Sequence, residues 1–221
     1  MYKICRQGDS HYADGLNNQD FCYMEKNLKM ITDGCSAGKY SEVGTRLFAQ
    51  IFSRLNSRLD VNKFESNVEK AFSKICSLSS GSPEEKAEFI KENMLFTIIA
   101  CFELEDKFVV KFIGDGYLIT INKNDMVSYT RLFYGKLPPY YAYNKISTKT
   151  YKEKLKFKTL VFPKEDFKLV GIASDGLAPI AEKKIDENFD ALILGTETKY
   201  TLEGVIRSHQ NKFFDDVTIL I

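Results

Sequence analysis

The chain has 221 residues, 44% of them hydrophobic, and its 31 basic and 30 acidic side chains leave a net charge of +1. That length and apolar content suit a single domain, 1–221, with a substantial core, and a charge this balanced offers no electrostatic basis for binding nucleic acid or an anionic membrane. The longest apolar run, LFTIIACF at 95–102, is too short to span a bilayer, MYKICRQGDSH lacks the pattern of a signal peptide, and five cysteines without CxxC spacing fit a reducing cytoplasm.

YKICRQ (2–7), FCYMEK (21–26) and LKMIT (28–32) read as strands, the last two joined by a tight turn at Asn27. From Ser41 the period becomes helical, with Val43, Leu47, Ile51, Leu55 and Leu59 recurring every fourth residue and Phe48 and Phe52 widening the stripe. A second helix is expected over 61–78, burying Phe64, Val68, Ala71, Phe72 and Ile75. After the loop at 77–83, Ser82 and Pro83 open a short charged helix whose exposed run is a solvated face.

The following half is rich in strands. MLFTIIACFEL, KFVVKFIG, YLITIN and MVSYTRLF succeed one another through short turns, as in an antiparallel meander. Residues 134–153, with two prolines and five tyrosines, interrupt it; they suit either a substrate-facing loop using Tyr140, Tyr141, Tyr143 and Lys145, or tyrosines covering a sheet edge. KLKFKTLVF and FKLVGIAS resume strands, helices are expected over 185–195 and 199–211, and DVTILI closes the chain. The fold class is α/β, with largely antiparallel strands and flanking helices.

Acidic residues stand at several strand ends: Asp33 and Asp175 before Gly, Asp115 within GDG, and Asp215-Asp216 before the last strand. KFVVKFIG-DG-YLITIN by itself reads as a hairpin around Asp115-Gly116. Asp33 and Asp175 are followed instead by loops leading towards helices. If the acids converge, their repulsion needs neutralising, and no cluster of arginines adjoins them. A divalent cation does this, and an all-oxygen set favours Mg²⁺ or Mn²⁺. Two such metals suit hydrolysis of a phosphate ester.

Other chemistries fit poorly. GCSAGKYS departs from a P-loop in glycine spacing and in having Tyr40 after Lys39. Cys35 lacks the Arg of a tyrosine-phosphatase loop, since Ser41 stands there. MITDG lacks the second Asp of an aspartate-nucleophile phosphatase, and neither His11 nor His209 serves a nucleophile motif.

NQD (18–20), DG (33–34), GDG (114–116), SDG (174–176) and DDVT (215–218) occur in an order and spacing that resembles the metal-dependent protein phosphatases of the 2C type. GDSHYADGLNNQD followed by DGCSAGKYSEVG is similar to a bacterial branch of that family. The resemblance covers residues 18 to 221 and implies a sandwich of two antiparallel sheets flanked by helices. It also implies roles. Asp33 would bridge two metals, the Gly34 carbonyl would bind the first, Asp175 and Asp215 the second, and Asp115 a weaker third. Gln19 and Asp20 would hold metal-bound waters from outside. A water shared by the metals, not a protein residue, would attack phosphorus in line.

Three positions depart from the family pattern. Gln19 stands where Glu is common, Cys35 where many relatives have a leaving-group His, and Gly15 where many have a phosphate-holding Arg. His11 and Lys39, with Arg46, are the candidates for holding phosphate, helped by backbone N–H groups of CSAGKYS at a helix start. The expectation is a cytoplasmic Mn²⁺- or Mg²⁺-dependent phosphatase acting on phosphoserine and phosphothreonine in proteins. The alternatives are a catalytically weak module that binds a phosphorylated partner, and hydrolysis of a small phosphorylated metabolite.

Overall fold

The computed structural model describes residues 2–55, 60–133, 135, 137–146, 153–185, 188–196 and 201–221. In chain order these contain β1 (Lys3–Arg6), α1 (Asp9–Ala13), β2 (Phe21–Glu25), β3 (Leu28–Gly34), α2 (Ser41–Leu55), α3 (Phe64–Cys76) and α4 (Pro83–Asn93). Then come β4 (Phe96–Glu103), β5 (Lys107–Ile113), β6 (Tyr117–Asn122), β7 (Val127–Arg131), β8 (Lys158–Pro163) and β9 (Phe167–Ala173). The last elements are α5 (Ala178–Ala181), α6 (Phe189–Leu194), α7 (Leu202–Ser208) and β10 (Val217–Leu220).

Two five-stranded antiparallel sheets form, in the orders β1-β10-β9-β6-β7 and β2-β3-β4-β5-β8. They stack face to face, and the alternation of side chains along each strand assigns every second residue to one of three apolar layers. Ile99, Cys101, Val110, Leu118, Val170 and Ile172 fill the space between the sheets. On the outer face of the second sheet, Met30, Ile98, Ala100 and Phe102 pack against Phe48, Phe52, Phe64 and Phe72 of α2 and α3. The first sheet's outer face meets α5, α6 and α7 through Ile119, Ala173 and Ile219. The sandwich flanked by helices is the expected fold.

The helix boundaries of α3 and α4 follow the sequence closely. Ser82 caps α4 by accepting from the Glu85 N–H at 3.2 Å, while Glu85 returns the bond to the Ser82 N–H at 2.7 Å. In α2 the buried face differs from the expected stripe. Phe48 and Phe52 are fully buried, yet Val43 is 50% exposed. An apolar residue every fourth position drifts about 40° per step around a helix of 3.6 residues per turn, so that stripe cannot stay on one face; Leu59 lies outside the described residues.

The meander also needs correction. β4 pairs with β5 and β6 with β7, but β5 and β6 belong to different sheets. Asp115-Gly116 is therefore a corner between the sheets rather than a hairpin turn. Gly114 and Gly116 take φ values of 103° and 133° there, which a side chain rarely tolerates. A Cβ on Gly114 would lie 2.5 Å from the Thr97 side chain, and one on Gly116 2.7 Å from the Ala173 carbonyl. The corner is wedged between β4 of one sheet and β9 of the other. Short elements without a full period, α1 and α5 among them, gave no sequence signal; α6 and α7 occupy only parts of the two expected late helices.

Gly116→Ala should destabilise the protein by about 2 kcal/mol or more, from backbone strain and the carbonyl contact together. Urea unfolding measures this, and an unchanged midpoint would contradict a rigid corner.

Candidate functional site

Asp33 is the penultimate residue of β3 and stands opposite Thr97 on β4. Asp115 occupies the corner between β5 and β6, Asp175 opens a tight turn after β9, and Asp215 precedes β10. All four carboxylates reach one cavity of about 200 Å³ at the end of the sandwich, which Gly34, Cys35, Thr97 and Tyr140 also line. The strand-end acids are thus one site, not separate turns.

Electrostatics reports the same proximity. Burial first, then the charges of Asp20, Asp175, Asp215 and Asp115, hold the Asp33 carboxyl well above the usual carboxylate range. Burial and the charges of Asp215 and Asp115 push Asp175 up to about 7, against the opposing effects of a hydrogen bond with Asp33 and the charge of Arg131. Asp115 and Asp215 are raised as well, again chiefly by burial. Arg131, at the end of β7, is the positive group that partly offsets Asp115 and Asp175. No spacing in the sequence marks it.

A second row of groups supports these acids. Ser174 is fully buried; its hydroxyl donates to Asp20 Oδ2 at 2.8 Å and accepts the Thr218 N–H at 2.9 Å. Asp216, 2% exposed, accepts the Gly8 N–H at 2.8 Å and the Gln19 N–H. His11 Nδ1 lies 2.9 Å from Asp216 Oδ2, near enough for an ion pair but out of line for a hydrogen bond. The imidazole's other nitrogen points to Asp215 Oδ1 at 3.9 Å. His11, Asp215 and Asp216 offer ligand atoms within 4.8 Å of one another. Both Asp216 oxygens are already engaged by backbone donors, which leaves Asp215 as the carboxylate facing the cavity. The two chain segments touch at Gly176, where a Cβ would lie 2.0 Å from the Asp216 carbonyl oxygen.

The donor chemistry fits divalent cations. Four carboxylates crowd a small cavity, and around it Gln19 Oε1, Asp20 Oδ1 and Thr97 Oγ1 are buried oxygens without a hydrogen-bond partner. Buried polar atoms are normally satisfied, and hydrated hard cations would satisfy oxygens of this kind. Asp33, Gly34, Asp115, Asp175 and Asp215 are the residues in position to hold them, with Gln19 and Asp20 behind.

The remaining candidates are placed differently. His11 is 5% exposed and engaged with Asp216 and Asp215 instead of being free for an anion. Lys39 is exposed, its amine 5.1 Å from the centre of the Tyr40 ring and outside the cavity lining. Arg46 donates to the Asn18 carbonyl at 3.0 Å. The N–H groups of Gly38 and Tyr40 are occupied by the carbonyls of Cys35 and Glu92. The tyrosines divide. Tyr141 is buried in the core beside Phe72, its ring centre 4.9 Å away, and donates to Glu69 at 2.5 Å. Tyr140 lines the acidic cavity, and burial with a hydrogen bond to Cys35 keeps its phenol protonated.

The sequence profile of the family described as protein phosphatase 2C matches residues 7–210. The chain belongs to the protein phosphatase 2C family. A search of curated proteins finds no match, but bacterial members of the family share the fold. Serine/threonine phosphatase Stp1 from Staphylococcus aureus superposes with a TM-score of 0.64 at 13% identity, over 99% of this chain and 92% of that one. The catalytic domain of the serine/threonine protein phosphatase PstP, solved with two manganese ions, gives 0.64 at 14% identity, over 99% and 94%. PppA of Pseudomonas aeruginosa gives 0.65 at 12% identity, over 99% and 94%. At these identities the likeness shows the protein phosphatase 2C fold alone. No helix among the described residues is long and apolar enough to cross a membrane.

The raised carboxyls make a pH prediction. The folded protein without metal binds protons that the unfolded chain releases from the ordinary value of 3.8 upward, until Asp175 ionises at about 7. Stability from this site therefore falls as pH rises through that window. Thermal melts in chelator should show the decline, Asp175→Asn should flatten it, and Mn²⁺ should raise the midpoint most at the upper end. A slope unchanged by Asp175→Asn would contradict the crowding.

Proposed function

We propose that this member of the protein phosphatase 2C family is a metal-dependent hydrolase of phosphoserine and phosphothreonine in proteins. The observation that carries the proposal is the cavity itself. Four partly buried carboxylates share about 200 Å³ with no compensating cluster of basic side chains among the described residues, an arrangement that costs stability unless cations occupy it. In this assignment Asp33, the Gly34 carbonyl, Asp175 and Asp215 would hold the cations and neutralise the charge gathered there. Asp115 would add a further carboxylate to that set, and Gln19 and Asp20 would support it from behind. The manganese of PstP makes Mn²⁺ the first ion to test, with Mg²⁺ beside it.

Two such cations, when bound, supply charge neutralisation for a phosphoryl group and acidify water at neutral pH. The chain supplies the geometry. The clustered carboxylates fix where charge is neutralised, and the glycine corner and the Gly176 contact keep their supports rigid. His11 and Asp216 orient the segment carrying Asp215 through the 2.9 Å and 3.9 Å approaches. Tyr140 presents a neutral phenol, bonded to Cys35, to an otherwise acidic cavity and so adds no further negative charge to it. Cys35 sits behind that phenol as a bonding partner, with no charged nucleophilic role assigned.

The test is hydrolysis of an aryl phosphate and a phosphothreonine peptide in Mn²⁺, Mg²⁺ or chelator. Release of phosphate with either ion, abolished by chelator, is expected; Asp175→Asn should lower kcat by about 10³-fold or more while the melt still shows a folded protein. Full activity in that variant would remove Asp175 from the site. Tight metal binding without turnover would favour a non-catalytic phosphoprotein-binding module. Cys35→Ser should retain activity within about tenfold, and its complete loss in a folded variant would restore a thiolate mechanism.

A further inference from the structure

A second cavity, about 550 Å³, opens beside the first and shares its Asp175 and Asp215 wall. A ligand whose phosphate lies among the acids therefore continues directly into it. Its surface is unlike that of the acidic cavity. Ala178, Pro179 and Phe214 make it apolar, and Lys184 and Lys212 stand on its rim.

Phe214 is 69% exposed, yet it is not a loose side chain on a loose loop. Its neighbour Phe213 is buried in the core, and the Phe213 carbonyl accepts the Asp9 N–H at 2.8 Å. The Phe214 carbonyl accepts from both the N–H and the hydroxyl of Ser10. A rigid backbone thus presents a large aromatic face to solvent immediately before Asp215. Such rings are favourable anchors because they bury much area at little entropic cost. The cations differ from each other. Lys184 is paired with Glu182 at 2.7 Å, whereas Lys212 has no acidic partner among the described residues. Lys212 is available to an anionic group of a bound chain, in the groove that also holds Asp175 and Asp215.

We propose that this groove docks the polypeptide flanking the phosphorylated residue and selects an apolar side chain next to it with a carboxylate beyond. Phe214 covers the apolar side chain, and Lys212 pairs the carboxylate. The inference rests on the phosphatase assignment for its substrate, and it deepens that assignment by naming the substrate's sequence character. A flat acidic cavity alone would be indifferent to the flanks.

The experiment compares two phosphothreonine peptides, one flanked by Leu and Glu and the other by Gly and Lys, with p-nitrophenyl phosphate as a substrate without flanks. Binding of the same peptides carrying a non-hydrolysable phosphonate is followed by fluorescence anisotropy in Mn²⁺. The wild type is expected to favour the Leu/Glu peptide in kcat/KM by about tenfold or more. Lys212→Glu should weaken that peptide and strengthen the Gly/Lys one, a gain that structural damage does not produce. Phe214→Ser should erase the part of the preference due to Leu. Hydrolysis of all substrates without preference, or a preference that Lys212→Glu leaves in place, overturns the groove while the phosphatase assignment stands. No turnover with phosphonate peptides bound in the order that Lys212→Glu reverses supports the groove and overturns catalysis. Neither turnover nor binding overturns both.

Discussion

Mutual repulsion among crowded, partly buried carboxylates is the constraint on which this protein is organised. Asp33, Asp115, Asp175 and Asp215 are carried by four different strand ends, yet they line one cavity of about 200 Å³. Left to themselves such groups separate or take up protons, and the raised carboxyls of Asp33 and Asp175 show the second response. The arrangement persists because hydrophobic burial across three apolar layers decides the fold, and the site is what those layers leave at one end. Stability is generated by Phe48, Phe72, Ile99 and Ile172 in the layers; the acids draw on it.

Holding the strand ends together takes specific backbone devices rather than more packing. The corner at Gly114–Gly116 lets one segment leave the second sheet and enter the first within three residues, with Asp115 at its apex. Gly176 allows the Asp175 turn to lie directly on the Asp216 backbone. Ser174 and Asp216 are buried polar hubs, and each is satisfied by groups from distant parts of the chain. Ser174 ties Asp20 to β9 and β10, while Asp216 ties the residues before α1 and β2 to β10. Buried polar networks of this sort specify one register where an apolar contact would tolerate several, and here that register aims the acids.

Most elements were legible in the sequence: the long helices α2 and α3 from their hydrophobic period, the short charged α4 from its cap at Ser82 and Pro83, and nearly every strand. Short elements were not, because four or five residues complete little more than a helical turn. Two local inferences failed for physical reasons. An interval of four does not track one face of a long helix, so Val43 faces solvent. Asp-Gly between two strands predicts a hairpin, but pairing depends on which sheet each strand joins, and β5 and β6 join different ones. In the site, the Asp-Gly steps and the terminal Asp-Asp were visible as chemistry at strand ends. Thr97 and Arg131 were not, since a buried threonine in an apolar run or a lone arginine in a strand carries no spacing that distinguishes it.

The sequence by itself determined the kinds of element, their order, and the residue chemistry available: hard oxygen ligands in quantity, no zinc-like cluster, no nucleophile motif. Local periodicity and turn chemistry are properties of neighbouring residues, which is why they can be read in one dimension. The tertiary structure alone decided which of those residues meet. It placed four acids in one cavity, buried His11 against Asp216, divided Tyr140 from Tyr141 between site and core, and set Phe214 and Lys212 along a groove beside the acids. Those outcomes depend on how two sheets stack and where the chain crosses between them, and such contacts join residues far apart in the chain, as between Gly8 and Asp216, 208 positions apart.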